Sequence, residues 1–171
     1  MFERIKGVFK LDVKTFEEIE HDSNATSQAA IIVAIVAFLS AIGSGLVAQY
    51  SQSSFLGSFI TTLIWTFVGW FLWAVVSWFV GTKFFGGQAT IDEMLRVIGF
   101  SYSPQFLAII PCVGGVIGGI WSLIAGFIGI RQGLDLDNTK AFLTILVGFL
   151  FFVAGSLIIQ MVMGGLGSLL N

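Results

Sequence analysis

Long apolar stretches alternate with short polar ones along this chain, and that alternation predicts its elements. Met1, Phe2, Ile5, Val8 and Phe9 recur at helical spacing, with Arg4, Lys6 and Lys10 between them. That pattern suits a short amphipathic helix lying in a membrane interface. Thr15-Phe-Glu-Glu18 reads as a capping box that starts a second short helix. Its acidic residues Glu17, Glu18, Glu20 and Asp22 would then project into the cytoplasm. Residues 23 to 82 carry no formal charge and hold two apolar runs, about 28–49 and 58–81. Each is long enough for a helix to cross a bilayer core, which takes about 20 residues. Tyr50-Ser-Gln-Ser-Ser54 is the polar turn between them. The last uncharged run predicts a span at about 141–163.

Val97 to Ile130 is harder to read. As one helix its 34 residues would measure about 51 Å at ~1.5 Å per residue, more than a bilayer accommodates even with tilt. Pro104, Pro111 and Gly114-Gly115 also interrupt it. The stretch therefore divides into spans of about 95–111 and 113–130. The first borrows its start from the amphipathic residues around Met94, as a kinked or partly re-entrant segment.

Composition fixes the class. The chain of 171 residues is 56% hydrophobic and 11% charged, against about 25% charged in soluble domains. Disorder is excluded, because disordered chains are poor in aromatics. A net charge of −2 offers no field for nucleic acid. One cysteine, Cys112, supports neither a disulfide framework nor a zinc cluster. An integral membrane protein remains.

Charge placement gives the expected topology. With five spans, the N-terminus and the loops at 82–98 and 131–140 share one side, and all eight Lys and Arg fall there. With four spans they divide six to two. The positive-inside rule favours the first arrangement. The expected fold is all-α and polytopic: five transmembrane helices, N-terminus inside, C-terminus outside, with short interfacial helices. Residues 1–27 would form the cytoplasmic or interfacial segment and residues 28–171 the membrane domain. No cleavable signal peptide is expected, since the first 22 residues carry ten charges.

Three segments are candidates for a cytoplasmic docking face: Glu17 and Glu18, Asp92 and Glu93, and Asp135 and Asp137. Thr90-Ile-Asp-Glu93 reads as a second capping box, and Asp137, Asn138 and Thr139 as caps of the last span. Inside the membrane, Gly114, Gly118, Ser122 and Gly126 fall at i, i+4 intervals and are the candidates for close helix packing or self-association. Tyr102, Ser103, Pro104 and Gln105 are the candidates for a kink or cavity lining, because Pro104 frees a carbonyl that must meet protein or water. Trp65, Trp70, Trp73 and Trp78 crowd the second span as packing or lipid-facing bulk. No span carries a charge near its middle, and His21 is the only histidine. A metalloprotease or a carboxylate proton relay therefore lacks its residues. No catalytic residue, cofactor site or metal site is expected.

The order of these pieces resembles the Yip family, the Ypt/Rab-interacting proteins, in its short prokaryotic form. The matching strings are Thr15-Phe-Glu-Glu-Ile-Glu20, Ala25-Thr-Ser-Gln-Ala-Ala30, Met94-Leu-Arg-Val-Ile-Gly-Phe-Ser-Tyr-Ser-Pro104, Ile110-Pro111, Ile120-Trp121-Ser-Leu-Ile124, Gly126-Phe-Ile-Gly-Ile130 and Thr139-Lys-Ala-Phe142. The resemblance implies five spans with a cytoplasmic N-terminus and no enzymatic activity. It places a prokaryotic member in the cytoplasmic membrane. Eukaryotic relatives are linked to Rab-type GTPases and vesicle traffic. The eukaryotic Asp-Leu-Tyr-Gly-Pro motif is missing here, and the nearest string, Gly133-Leu-Asp-Leu-Asp137, stands elsewhere. GTPase binding is not carried over.

The functional expectation is a non-enzymatic membrane scaffold or adaptor that organises membrane proteins or lipids, in trafficking or envelope organisation. Its expected partners are membrane lipids, a membrane or cytoplasmic protein, and a second copy of itself. The alternative is a small oligomeric channel or transporter with a cavity at the kinked third span.

Overall fold

Helix starts and stops follow local chemistry along most of the chain. The computed structural model describes residues 1–50, 54–109 and 113–169, with side chains for 1–48, 54–107 and 113–155. The described residues form α1 (Phe2–Phe9), α2 (Val13–His21), α3 (Ala25–Tyr50), α4 (Phe55–Phe84), α5 (Ile91–Ser101), a 3-10 segment (Ser103–Ile109), α6 (Gly114–Gly133) and α7 (Asn138–Leu169). The architecture is all-helical. Pro111, Cys112 and the turn residues 51–53 lie outside the described residues.

The capping box at Thr90 forms: its hydroxyl accepts from the Glu93 N–H, and Glu93 accepts from the Thr90 N–H. Asp137 accepts from the Lys140 N–H at the start of α7. The expected box at Thr15 does not form. α2 begins earlier, on Asp12, whose carboxylate accepts from the Lys14 N–H and the Thr15 hydroxyl. A carboxylate caps as well as a hydroxyl does, and here it captures the Thr15 side chain too. α1 and α6 end alike. Leu11 and Asp135 sit at positive φ, with paired backbone bonds back into the helix (Leu11 to Val8 and Asp12 to Gly7; Asp135 to Gln132 and Leu136 to Arg131). This is the Schellman arrangement, with non-glycine residues in the left-handed position.

The third apolar stretch is broken. The kinked segment expected at about 95–111 takes the form of eleven residues of α5, starting at Ile91, followed by a 3-10 segment. Pro104 supplies no N–H, so the α-helical ladder cannot continue through it and the chain tightens.

Inter-helix contacts fix the arrangement. Gly99 of α5 lies on Ala29 of α3, and the Trp70 indole of α4 donates to the Leu95 carbonyl at 3.1 Å. Gly133 of α6 faces Val97 and Met94, while Leu134 packs against Gly81 and Gly87. The starts of α3 and α5 and the ends of α4 and α6 thus gather at one end, where Ala141 of α7 joins the same core. Phe16, Ile19, Ile32, Met94, Phe100 and Leu134 are fully buried there. α1 and α2 form a hairpin on this end, with Gly7 closed against Thr15.

Away from that end, large apolar side chains face outward: Leu46, Ile64, Trp65, Leu123 and Phe149 are all more than half exposed. So much outward apolar surface suits lipid as the surrounding solvent. Among the described residues, α3, α4, α6 and α7 are the four helices long and apolar enough to cross a membrane. α5 is neither.

Two tryptophans of the second span prove to be more than bulk, and Trp121 of α6 acts as they do. Trp70, Trp78 and Trp121 each donate an indole N–H to a backbone carbonyl, of Leu95, Ala89 and Phe9. The Trp121 bond, at 2.9 Å, ties the tip of the N-terminal hairpin to α6. Replacing Trp121 with Phe keeps most of the ring and removes that bond. Amides of residues 2–11 are expected to exchange about fivefold faster, for a net bond of ~1 kcal/mol. Unchanged exchange in a hydrogen-exchange measurement would show that the bond does not hold the hairpin.

Candidate functional site

The charged end is a folded surface rather than a set of loose loops. Arg4 of α1 reaches α2 and α3 together: it pairs with Glu18 at 2.8 Å and Asp22 at 2.7 Å, and donates to Gln28 at 3.5 Å. The hydrogen bond from Arg4 holds the Asp22 carboxyl below the usual carboxylate range. Across the face, Arg96 of α5 is buried and its guanidinium meets Asp92 at 2.7 Å and the Thr26 hydroxyl at 3.4 Å. Thr26 also donates to Asp92. The first turns of α3 and α5 are joined through these three side chains.

Glu20 departs from expectation. The acidic face of α2 was expected to project outward, yet Glu20 is only 7% exposed. It turns inward because Phe16, Ile19 and Glu20 form the face of α2 that docks on α5 and α6. Burial is the main cause that lifts its carboxyl to about 7, and the negative charges of Asp135, Glu93 and Glu17 add to it, while His21 opposes. His21 itself is raised, first by its Nδ1 bond to the Glu17 carbonyl and then by Glu20.

The six candidate docking carboxylates therefore differ in availability. Glu18 and Asp92 are ion-paired, Glu93 is engaged as a cap, and Asp137 caps α7. Glu17 and Asp135 are exposed, and no ion pair or side-chain hydrogen bond holds either among the described residues. Replacing Asp92 with Ala takes away the closest partner of the buried Arg96. That loss is expected to cost about 2 kcal/mol in a detergent unfolding assay, as for a charged hydrogen bond. Glu17→Ala should stay within about 0.5 kcal/mol. Equal midpoints for the two variants would mean that Arg96 finds water or Glu93 at no cost.

The intramembrane candidates divide as well. Ser103 is fully buried, and the Pro104 carbonyl is covered by Gly118. Tyr102 and Gln105 line a cavity of about 440 Å³ between α4, α5, α6 and α7. Gly114 and Gly118 are buried, while Ser122 and Gly126 line that same cavity. The glycines that pack most tightly between helices include Gly81, Gly99 and Gly133, which the i, i+4 stripe did not contain. Nothing in their sequence spacing marked them. Arg96 and Thr26 were likewise missed, though a lone arginine within an apolar amphipathic stretch was a usable signal.

A family model for the Yip1 domain matches residues 6–167. The chain belongs to the Yip family. The match takes in most of the N-terminal hairpin, the whole of α5 and nearly all of α7, so the charged end is part of the family's domain and not an appendage. Yip-family membrane proteins are generally not enzymes. With four membrane-length helices, this Yip-family chain is an integral membrane protein. No curated protein and no solved structure matches it.

Proposed function

We propose that this Yip-family protein is a non-enzymatic scaffold or adaptor that presents its charged end to a membrane or cytoplasmic protein partner. One observation carries the reading. The charged residues are organised on a packed platform made from the α1–α2 hairpin, the start of α5 and the α6–α7 turn. A preorganised surface loses less entropy on binding than a loose one. Glu17 and Asp135 stand free on it. The proposal includes five crossings, with α5 and the 3-10 segment as the short third, the platform in the cytoplasm and the C-terminus outside. It also includes residence in the cytoplasmic membrane of a prokaryotic cell, lipid contact, and self-association.

Copurification from native membranes tests it. Deleting residues 1–22 would also remove Val8, Phe16 and Ile19 from the core, so charge reversal is the cleaner variant. A specific protein recovered by the intact chain and lost with Glu17→Lys plus Asp135→Lys supports the adaptor reading. Recovery of the same proteins by both forms removes the platform from the mechanism. Topology is read separately, from single cysteines placed in a Cys112→Ser background. Positions 17 and 140 should label from one side of the membrane and position 54 from the other.

A further inference from the structure

The cavity between α4, α5, α6 and α7 is not needed by the adaptor reading. It lies along α6 from Ile130 to Gly119, which is about 5 to 20 Å from the charged end of that helix at ~1.5 Å per residue. Leu123, on the rim, is 75% exposed, and Ile120 and Ile124 beside it are also exposed. An exposed apolar border of this kind suits an occupant drawn from the bilayer. Ile145 is the one described α7 residue on the wall.

The lining is mixed. Trp73, Ile98 and Phe127 give it apolar walls. Tyr102, Gln105 and Ser122 add a hydroxyl, an amide and a second hydroxyl. The Ser122 hydroxyl is buried without a partner. Tyr102 and Gln105 make no side-chain hydrogen bond to the described residues. Buried donors are normally satisfied, and leaving them open at membrane depth is costly. Gly119 and Gly126 keep the space clear, since a Cβ at either would meet nothing within 4 Å. A volume of about 440 Å³ falls within the roughly 300–1,000 Å³ of small-molecule sites.

We propose that this cavity takes one acyl chain of a phospholipid, with the chain's ester carbonyl accepting from Tyr102, Gln105 or Ser122. The chain fills the apolar volume, and the carbonyl supplies the oxygen that the three donors lack. The site is independent of the charged platform.

The test uses the full-length protein in phosphatidylcholine vesicles doped with a phospholipid bearing a diazirine on one acyl chain. Photolabelling should concentrate on residues 119–130 relative to the lipid-facing residues 60–72 of α4. Gly119→Leu plus Gly126→Leu directs side chains into space that is open around both Cβ positions. It should lower the labelling of 119–130 by about tenfold, the loss expected when roughly two methylenes no longer fit, leave α4 labelling unchanged, and not lower the unfolding midpoint, since leucine is the better helix former. Tyr102→Phe plus Gln105→Leu should weaken labelling by the phospholipid but not by a diazirine alkane without a carbonyl. Labelling of 119–130 no stronger than that of α4, or unaffected by the leucines, overturns the proposal. Labelling by a diazirine fatty acid and not by the phospholipid overturns the assignment to phospholipid.

Discussion

Glu20→Gln holds α2 on the bundle equally well at pH 5 and pH 8, whereas the unaltered hairpin loosens over that interval. The carboxyl titrates near 7 when docked, lifted by burial and then by Asp135, Glu93 and Glu17. Undocked, it returns to its ordinary value of 4.5. Below 4.5 both states hold the proton and docking has its full strength. Between 4.5 and about 7 the docked state binds a proton that the free hairpin has lost, so rising pH weakens docking throughout that window. Above 7 both states are ionised and the loss is complete. The total is at most about 3 kcal/mol, from ~1.4 kcal/mol for each pH unit that separates the docked and undocked values. His21 is shifted up as well, but first by its bond to the Glu17 carbonyl and then by Glu20, partners on α2 itself that stay with it when the hairpin undocks, so docking takes its pH dependence from Glu20. Hydrogen exchange of α2 amides, corrected for intrinsic rates, reads the effect. Protection that is flat with pH in the unaltered protein would mean that Glu20 is solvated on the platform rather than buried beneath it.

Gly118→Ala should be a strongly damaging methyl addition in the membrane domain. The new Cβ would stand 2.7 Å from the Pro104 carbonyl oxygen and 3.2 Å from the Gln105 Cα. Both are backbone atoms, so no rotamer change relieves the contact. Either α6 or the 3-10 segment must move, at a cost of about 1–3 kcal/mol for overpacking. Gly126→Ala is the control on the same helix. Its Cβ meets nothing, and alanine is worth up to about 1 kcal/mol over glycine within a helix. Unfolding in detergent should therefore separate the two variants in opposite directions. Matching midpoints would show that the 3-10 segment yields freely, and that Gly118 is not what allows the close approach.

The N-terminal hairpin illustrates how far local reading reaches. Its two helices follow from apolar spacing in Met1–Phe9 and from cap chemistry, although the second cap is Asp12 and not Thr15. Which face of α2 turns inward was not legible. Glu17, Glu18 and Glu20 are chemically equivalent in the sequence, and only docking on α5 and α6 sends the third inside. The glycine stripe of α6 was legible in part, since Gly118 packs against the Pro104 carbonyl while a Cβ at Gly126 would meet nothing, and the division has a related reason. Membrane helices are apolar on every side, so periodicity does not tell a protein-facing side from a lipid-facing one.

The sequence by itself determined the membrane class, the approximate helix bounds, the gathering of charge into three segments and the break at Pro104. These depend on local sums of hydropathy, on charge sidedness and on the missing proline N–H. Tertiary structure alone decided that Glu20 is buried, that three indoles tie backbone segments together, that Arg96 joins α3 to α5, and that Ser122 and Gly126 border a cavity. Each of these depends on which helix surfaces meet across long separations in the chain, and pairwise packing of that kind leaves no periodic mark on a sequence that is apolar throughout.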